Sequence, residues 1–446
     1  MRLDNLTNKK IGILGLGVTG ISVYRYISKF TSHIVCWDDS ESLRDKFEFR
    51  GNLKETNHGD WQQLDIIVIS PGIPHEHNIF QISRKHDIRI TSDVELFLAQ
   101  DHSKSLIVTV TGTNGKSTTV SLINHIMNNA GKKYVMGGNI GVPVLDLASD
   151  AQGYVLELSS FQLDLLDKIE ANISVLLNIM PDHLDRYNSY EDYQKSKLKI
   201  LQNAQMKIIG IDGKHSKQYY NYFTKELGDP RVLGVSSKHG PKTKIISCNN
   251  NIIKDNFSEC KKYSIPNLHN LMGKHNQENI AAAFAVCTLL GVSSDEIIDA
   301  ITSFEGLKHR LQYLGTKQRV NYYNDSKATN SVSTSCALSS LKNIFWLAGG
   351  VFKEKDLNIL DNSLKHVKKA YLFGKNREIF AKYLNNKIDY MMFETMEEAF
   401  IKAADDASSF MNESSLLLSP ACASFDQFKN FQQRGNKFIE LYNNEK

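Results

Sequence analysis

The sequence has no C-x-x-C pair, no long apolar run, no block of like charge and no repeat at a fixed period. Each absence removes a class of protein. Six cysteines (Cys36, Cys248, Cys260, Cys287, Cys336, Cys422) are scattered through 446 residues, several in apolar stretches, which fits buried reduced thiols in a cytoplasmic protein. Apolar runs such as Leu106–Val110 and Leu416–Leu418 fall far short of the ~18 residues of a membrane helix, so no membrane insertion is expected. The amino terminus is polar and leads straight into a strand pattern, without the apolar core of a signal peptide. Lys plus Arg is 53 against 49 for Asp plus Glu, and a net charge of +4 this evenly spread argues against a nucleic-acid partner. What is present is ordinary globular usage, 41% hydrophobic and 23% charged, over a length that suggests about three domains.

Short β-branched runs alternate with helical patterns along most of the chain. Strands are expected at 11–14, 33–37, 66–70, 106–110, 154–158 and 173–178, and again at 344–348, 370–373 and 416–419. They are continuously apolar, not alternating, as strands buried on both faces are. Strands of that kind separated by helices predict an α/β fold with parallel sheets. Ser92 and Glu95 have capping-box spacing just before a new strand, placing a first boundary near 95. Helices expected at 277–290 and 294–303 precede a further βα series starting near Val320, placing a second boundary near 303. The expected domains are therefore 1–95, 96–303 and 304–446: a Rossmann-like first domain, a central parallel-sheet domain of P-loop ATPase type, and a Rossmann-like third domain. The stretch from about 211 to 266 is rich in Lys, Asn and Ser, has weak strand signals and offers no site.

The run 112–118 (GTNGKST) follows a strand and opens a helix. Gly112 and Gly115 let backbone N–H groups turn inward at an anion, Lys116 adds a charge for the outer phosphates, and Ser117 or Thr118 can ligate Mg²⁺. Val110 stands where the literal Walker pattern has glycine, yet the physical parts of a nucleoside triphosphate site are present. Gly15, Gly17 and Gly20 make a G-x-G-x-x-G turn, and a second strand ends in Trp37-Asp38-Asp39, where a ribose-binding acid is expected. The turn recognises a diphosphate and not a nicotinamide, and Ser70-Pro71-Gly72 offers a second loop at the same sheet edge. Glu157 ends an apolar strand, where a carboxylate either meets Mg²⁺ or is a solvated terminus. His183, in 178–186 (NIMPDHLDR), could ligate a metal, orient a phosphate or finish a hydrogen-bond network. Asn139 tips a third loop, and Lys197 reads on composition alone as a surface helix lysine.

Taken in order, the runs 112–118, 157–160, 182–185, 271–279, His309-Arg310, 324–330 (NDSKATN) and 418–431 (LSPACASFDQFKNF) resemble the Mur ligase family, ATP-dependent amide-forming enzymes of peptidoglycan synthesis. The last two runs resemble its D-glutamate-adding members. The resemblance implies a cytoplasmic ligase, expected as a monomer, that joins D-glutamate to UDP-N-acetylmuramoyl-L-alanine through an acyl phosphate. It implies ATP at Gly112, Thr113, Asn114, Gly115, Lys116, Ser117 and Thr118, with Asn276, Asn279, Arg310 and Asp325 at adenine and ribose. UDP-substrate contacts fall on Gly15, Leu16, Asp38, Asp39, Ser70, Gly72, Asn139 and His183. D-glutamate contacts fall on Lys327, Thr329, Lys353, Ser424, Phe425 and Phe431. Mg²⁺ falls to Ser117, Glu157, His183 and Lys197, the last at the position of a carbamylated lysine, and the catalytic set is Lys116, His183 and Lys197. Lys308, Glu354 and Phe425 depart from the family's usual proline, glycine and leucine. Two other readings remain at this point: a ligase of the same fold for another amino acid or acceptor, or a nicotinamide-binding module fused to an ATPase.

Overall fold

The computed structural model describes residues 6–183, 186–238, 244–266, 268–353 and 356–445. Asp185 and Glu354, both singled out in the sequence, lie outside them. Three sheets carry the fold. The first is fully parallel, in the order Ile34–Trp37, Ile11–Leu14, Ile66–Ile69, Arg89–Thr91. Because the chain leaves its central strand Ile11–Leu14 to one side and returns on the other, the loops beginning at Gly15 and Ser70 flank a topological switch point, the usual place for a ligand.

Among the described residues the second sheet has nine strands. Its parallel part runs from Tyr134–Gly138 through Gly153–Glu157, Leu106–Thr111, Glu170–Leu176, Asn203–Gly210 and Val232–Ser236 to Ile245–Asn249. Ile252–Asp255 and Lys262–Ser264 close it antiparallel. The polar stretch with weak strand signals thus supplies four edge-side strands. Val232–Ser236 and Ile245–Asn249 are buried along nearly their whole length, whereas Ile252–Asp255 and Lys262–Ser264 are partly exposed, and there Lys and Ser blur the strand signal.

The third sheet follows the order Gln312–Lys317, Val320–Asn324, Ser414–Leu418, Ile344–Gly349, Val367–Phe373, Tyr390–Phe393, parallel except for its first pair. Its strands split residue by residue between two cores. Ile344, Trp346, Ala348, Leu372 and Leu417 pack on one face. Phe345, Leu347, Phe373, Leu416 and Leu418 pack on the other. The first sheet divides likewise, with Ile13 and Val68 on one side and Leu14 and Ile69 on the other. That is the physical content of the continuous apolar runs: each buried side chain of this size contributes about 1.5–3 kcal/mol, and neither face can be polar.

The chain forms two compact units: Met1–Ile265 with Glu278–Ile301, and Pro266–Gln277 with Thr302–Lys446. Within the first, the Ser92 hydroxyl caps the helix Asp93–Leu98 by accepting the Glu95 N–H at 3.2 Å. The Glu95 carboxylate does not complete the box. It accepts from Arg89 at 2.8 Å and from the Thr91 hydroxyl at 2.7 Å.

Candidate active site

The phosphate loop joins Leu106–Thr111 to the helix Lys116–Asn129. Gly115 caps that helix at φ +86°, and a Cβ there would overlap the Asn279 amide oxygen, so only glycine fits. Asn279, expected at the nucleoside, is buried beneath the loop and accepts the Thr119 hydroxyl at 3.2 Å. Two lysines converge on one loop carbonyl: Lys116 Nζ donates to the oxygens of Gly112 (2.7 Å) and Thr113 (2.9 Å), and Lys197 Nζ donates to Gly112 at 2.9 Å. Lys197 is not the surface residue its composition suggests. It is only 2% exposed and lies 5.0 Å from the Tyr193 ring centre. Burial, then the Lys116 charge, hold its amine well below the usual lysine range, against the pull of Asp182, Asp164 and Glu157.

Glu157 closes the strand Gly153–Glu157, buried. One carboxyl oxygen accepts the Asn139 amide at 2.8 Å; the other is buried with no hydrogen-bond partner. Ser117 is also buried, on the first turn of the phosphate-loop helix. An unsatisfied carboxylate oxygen near a phosphate loop is a chemical fit for a hard cation, and Mg²⁺ commonly binds through one or two carboxylates with phosphate oxygens completing its shell. Among the described residues no group of three or more His, Cys, Asp or Glu is gathered for a metal. His183 is exposed at φ +52°, and its described contacts are with Asp182 (3.5 Å) and the Phe161 ring (4.8 Å), not with Glu157 or Lys197.

At the first sheet's switch point Gly15 takes φ +97°, where a Cβ would press on Ser70. The Ser70 hydroxyl donates to the Gly15 carbonyl at 3.2 Å. Asp38 accepts the Leu16 N–H at 2.7 Å and the Ser40 N–H at 2.8 Å, so it braces the glycine turn from inside. Asp39 is exposed beside a cavity of ≈ 350 Å³ lined by Trp37, Arg44, Glu55, Thr56 and Asn78 among others, with the Arg44 guanidinium 4.4 Å over the Trp37 ring. The exposed Gly72 belongs to a loop clamped by Arg186, which donates to the carbonyls of Pro71 (2.7 Å), Gly72 (3.2 Å) and Ile73 (2.7 Å). Sequence reasoning gave Arg186 no role. Its partners are backbone carbonyls from a distant segment, and no spacing rule marks such an arginine.

In the second unit the Asn276 amide donates to the Met272 carbonyl at 2.8 Å, and Arg310 is exposed. Asp325 is buried, accepting from the Leu311 N–H (2.9 Å) and the Ser419 hydroxyl (2.8 Å), and burial pushes its carboxyl up to about 7. Lys327 Nζ lies 4.1 Å over Phe431, and Lys353 Nζ 5.4 Å over Phe425, which is largely exposed. Thr329 is exposed and Ser424 buried. Arg434, missed in the sequence, is fully buried behind them: it donates to the Ser326 hydroxyl (3.0 Å) and to the carbonyls of Ser326 (2.8 Å) and Cys422 (3.0 Å). Ser326 in turn donates to the Phe431 carbonyl at 2.8 Å. One guanidinium thus ties together the segments carrying Lys327, Ser424 and Phe431. Desolvation lowers it to about 10.

Residues 9–92 match the family model for the Mur ligase MurD-like N-terminal domain, and residues 110–287 match the Mur ligase middle domain. The chain is 43% identical to the UDP-N-acetylmuramoylalanine–D-glutamate ligase of Rickettsia bellii, with 98% of this chain and 97% of that protein covered. The chain belongs to the Mur ligase family. Other Mur ligase relatives include the UDP-N-acetylmuramoylalanine–D-glutamate ligases of Wolbachia pipientis wMel, at 38% identity over 100% of this chain and 98% of that one, and of Rhizobium etli, at 36% over 98% and 95%. The fold matches solved Mur ligases: UDP-N-acetylmuramate-alanine ligase MurC of Thermotoga maritima (TM-score 0.59, 17% identity, 98% of this chain and 100% of that one) and MurF ligase of the same organism in complex with ADP (TM-score 0.58, 14% identity, 99% and 96%).

Proposed function

We propose that this Mur ligase adds D-glutamate to UDP-N-acetylmuramoyl-L-alanine with ATP, releasing ADP and phosphate, in the cytoplasmic stage of peptidoglycan synthesis. The observation that carries the reading is the convergence of Lys116 and Lys197 on the Gly112 carbonyl, beside Glu157 with its unpartnered oxygen. Lys116 beside a glycine loop offers an ammonium and the loop N–H groups to the oxygens of a triphosphate, and Glu157 offers an oxygen to a cation that accompanies it. Near-full-length identity with D-glutamate ligases supports the choice of amino acid. No helix among the described residues is long and apolar enough to cross a membrane, in keeping with substrates that are all small and polar.

A carboxylate is a poor acyl donor because its leaving group is oxide. The γ-phosphoryl of ATP passes to the alanine carboxylate of the UDP-substrate, giving an acyl phosphate whose leaving group is phosphate. The D-glutamate amine attacks that carbonyl, a tetrahedral intermediate forms, and amide and phosphate depart. The loop N–H groups and Lys116 neutralise the transferred oxygens and hold donor and acceptor in line. Mg²⁺, when bound, spreads the phosphate charge; Ser117, Glu157 and His183 would hold it, with Lys197. A lysine cannot ligate as an ammonium. Burial and then the Lys116 charge disfavour the ammonium form of Lys197, which favours the amine that adds to CO₂, losing a proton and becoming an anionic carbamate. The first domain (1–95) takes the uridine diphosphate at Gly15, Leu16, Asp38, Asp39, Ser70 and Gly72, with Asn139 and His183 nearer the reacting carboxylate. The central domain (96–303) takes ATP, with Asn276, Asn279, Arg310 and Asp325 toward its nucleoside. The third (304–446) takes D-glutamate, its carboxylates on Lys327 and Lys353 and its remainder against Thr329, Ser424, Phe425 and Phe431.

The test is phosphate release over an amino-acid panel. Release is expected only with UDP-N-acetylmuramoyl-L-alanine and D-glutamate together. Equal release with L-glutamate or meso-diaminopimelate overturns the substrate assignment.

A further inference from the structure

Asn178 and Glu278 have no part in the chemistry above, yet they stand directly behind the phosphate loop. Asn178 lies two residues past the strand Glu170–Leu176. Its side chain pairs with the backbone of Asn114 as a neighbouring strand would: Oδ1 accepts the Asn114 N–H at 2.9 Å, and Nδ2 donates to the Asn114 carbonyl at 3.2 Å. Its own carbonyl accepts the Thr113 N–H at 3.0 Å. Three backbone groups at the exposed tip of the loop are therefore fixed by one residue.

The Asn178 side chain is among the groups that act on the carboxyl of Glu278. Glu278 sits on the helix Lys274–Leu289, one residue before Asn279, which packs under Gly115 on the other side of the same loop. It is 8% exposed, and its Oε1 is buried without a hydrogen-bond partner. The space it fills exists because residue 210 is glycine: a Cβ there would lie 2.5 Å from Oε1 and overlap the Leu177 carbonyl. Facing the carboxyl are the Asp212 charge and backbone N–H, the Lys238 ammonium and the Asn178 amide. Burial and then Asp212 push it up to about 8, so it is protonated at neutral pH.

We propose that Asn178 and Glu278 are positioning residues for ATP: Asn178 sets the loop so that its N–H groups already face the incoming phosphates, and Glu278, buried behind it, keeps that backing uncharged. This rests on the loop being the ATP site. A loop ordered before binding spares the ligand that ordering cost, so the support acts on ATP affinity and alignment and not on the amino acid. It also carries a pH signature. Above pH 8 a carboxylate forms behind a loop that must accept a polyanion, and ATP binding weakens.

The test is ATP binding by calorimetry together with steady-state kinetics of the full chain. Asn178→Ala is expected to raise the ATP Kd and KM about tenfold or more, through the loss of two backbone-fixing hydrogen bonds, with the D-glutamate KM within about twofold. Glu278→Gln, an uncharged near-isostere, is expected to match the parent ATP KM at pH 7 and to lack the rise that the parent shows above pH 8. If Asn178→Ala does not fold, the Glu278→Gln profile decides alone. Unchanged ATP affinity in folded Asn178→Ala, or an identical alkaline limb in Glu278→Gln, overturns the proposal while leaving the ligase reading intact. Failure of the parent protein to bind ATP overturns both.

Discussion

The glycine turns at Gly15–Gly20 and Gly112–Gly115 both suit an anion and are held differently. The first is braced by an acid of the chain itself, since Asp38 takes the Leu16 N–H directly at 2.7 Å. The second gathers two lysines, Lys116 and Lys197 meeting at the Gly112 carbonyl, and its backbone is held through the neutral amide of Asn178. A glycine pattern reports that the backbone can turn inward at an anion. It does not report whether the chain has already spent one of those N–H groups on its own carboxylate. An acid at the end of a second strand is accordingly weak evidence for a dinucleotide, because bracing the turn is an alternative use for it. Two lysines on one carbonyl are stronger evidence, because crowding them in a buried place disfavours the ammonium form of Lys197, a change that a bracing role does not call for.

The sharpest way to break this contrast is to remove one of the two lysines. Lys197→Ala is expected to lower kcat by about two to three orders of magnitude, the scale of losing one preorganised electrostatic group at the reacting oxygens. Small carboxylates added to the assay are expected to restore part of it, by standing in for the carbamate. Ordinary activity in this variant would reduce Lys197 to a packing residue and leave the phosphate loop no more specialised than the first turn.

The converse change removes the brace of the first turn. Asp38→Ala leaves the buried Leu16 N–H without its acceptor, which costs about 1–3 kcal/mol of stability. The KM for the uridine nucleotide is expected to rise about tenfold while the ATP KM stays put, measured in the phosphate-release assay. A parallel rise in both would mean that the two loops act as one element and that the comparison is false.

The sequence made the glycine loops, Lys116, Ser117 and most buried strands readable, because each depends on local chemistry: a φ that excludes side chains, or apolar residues on both faces of a strand. Gln312–Lys317 was not readable. It is antiparallel and half-exposed, and its Gly, Thr and Lys read as a turn. Lys197 showed its position through resemblance alone, since a helix lysine's burial depends on what packs over it. Asn178, Arg186 and Arg434 were silent for another reason. Their partners are backbone groups of Asn114, of Pro71 to Ile73, and of Ser326 and Cys422, brought near only by folding. Charge and spacing rules describe side chains meeting ligands, and these three meet main chain. The third can be probed without removing bulk: Arg434→Met fills the same space but leaves those carbonyls unsatisfied, and is expected to raise the D-glutamate KM by about tenfold with little change in the ATP KM. Equal D-glutamate kinetics would show that the Lys327 and Phe431 segments hold their geometry unaided.

The smallest effect separates the two loops by what stands behind them. Glu278 is pushed up to about 8 in the fold against an unfolded value near 4.3. Between those limits the native chain binds a proton that the unfolded chain has released. Stability from this group is therefore fully present below about pH 4.3, falls as pH rises, and is gone above about pH 8. Glu278→Gln has no proton to lose and so no slope from this position. Its melting temperature is expected to pull ahead of the parent's by a few degrees between pH 5 and pH 8. If the Glu278→Gln and parent curves run parallel instead, the carboxyl is already ionised at neutral pH. The phosphate loop would then, like the first turn, be backed by an anion of the chain, and the difference between them would rest on the lysines alone.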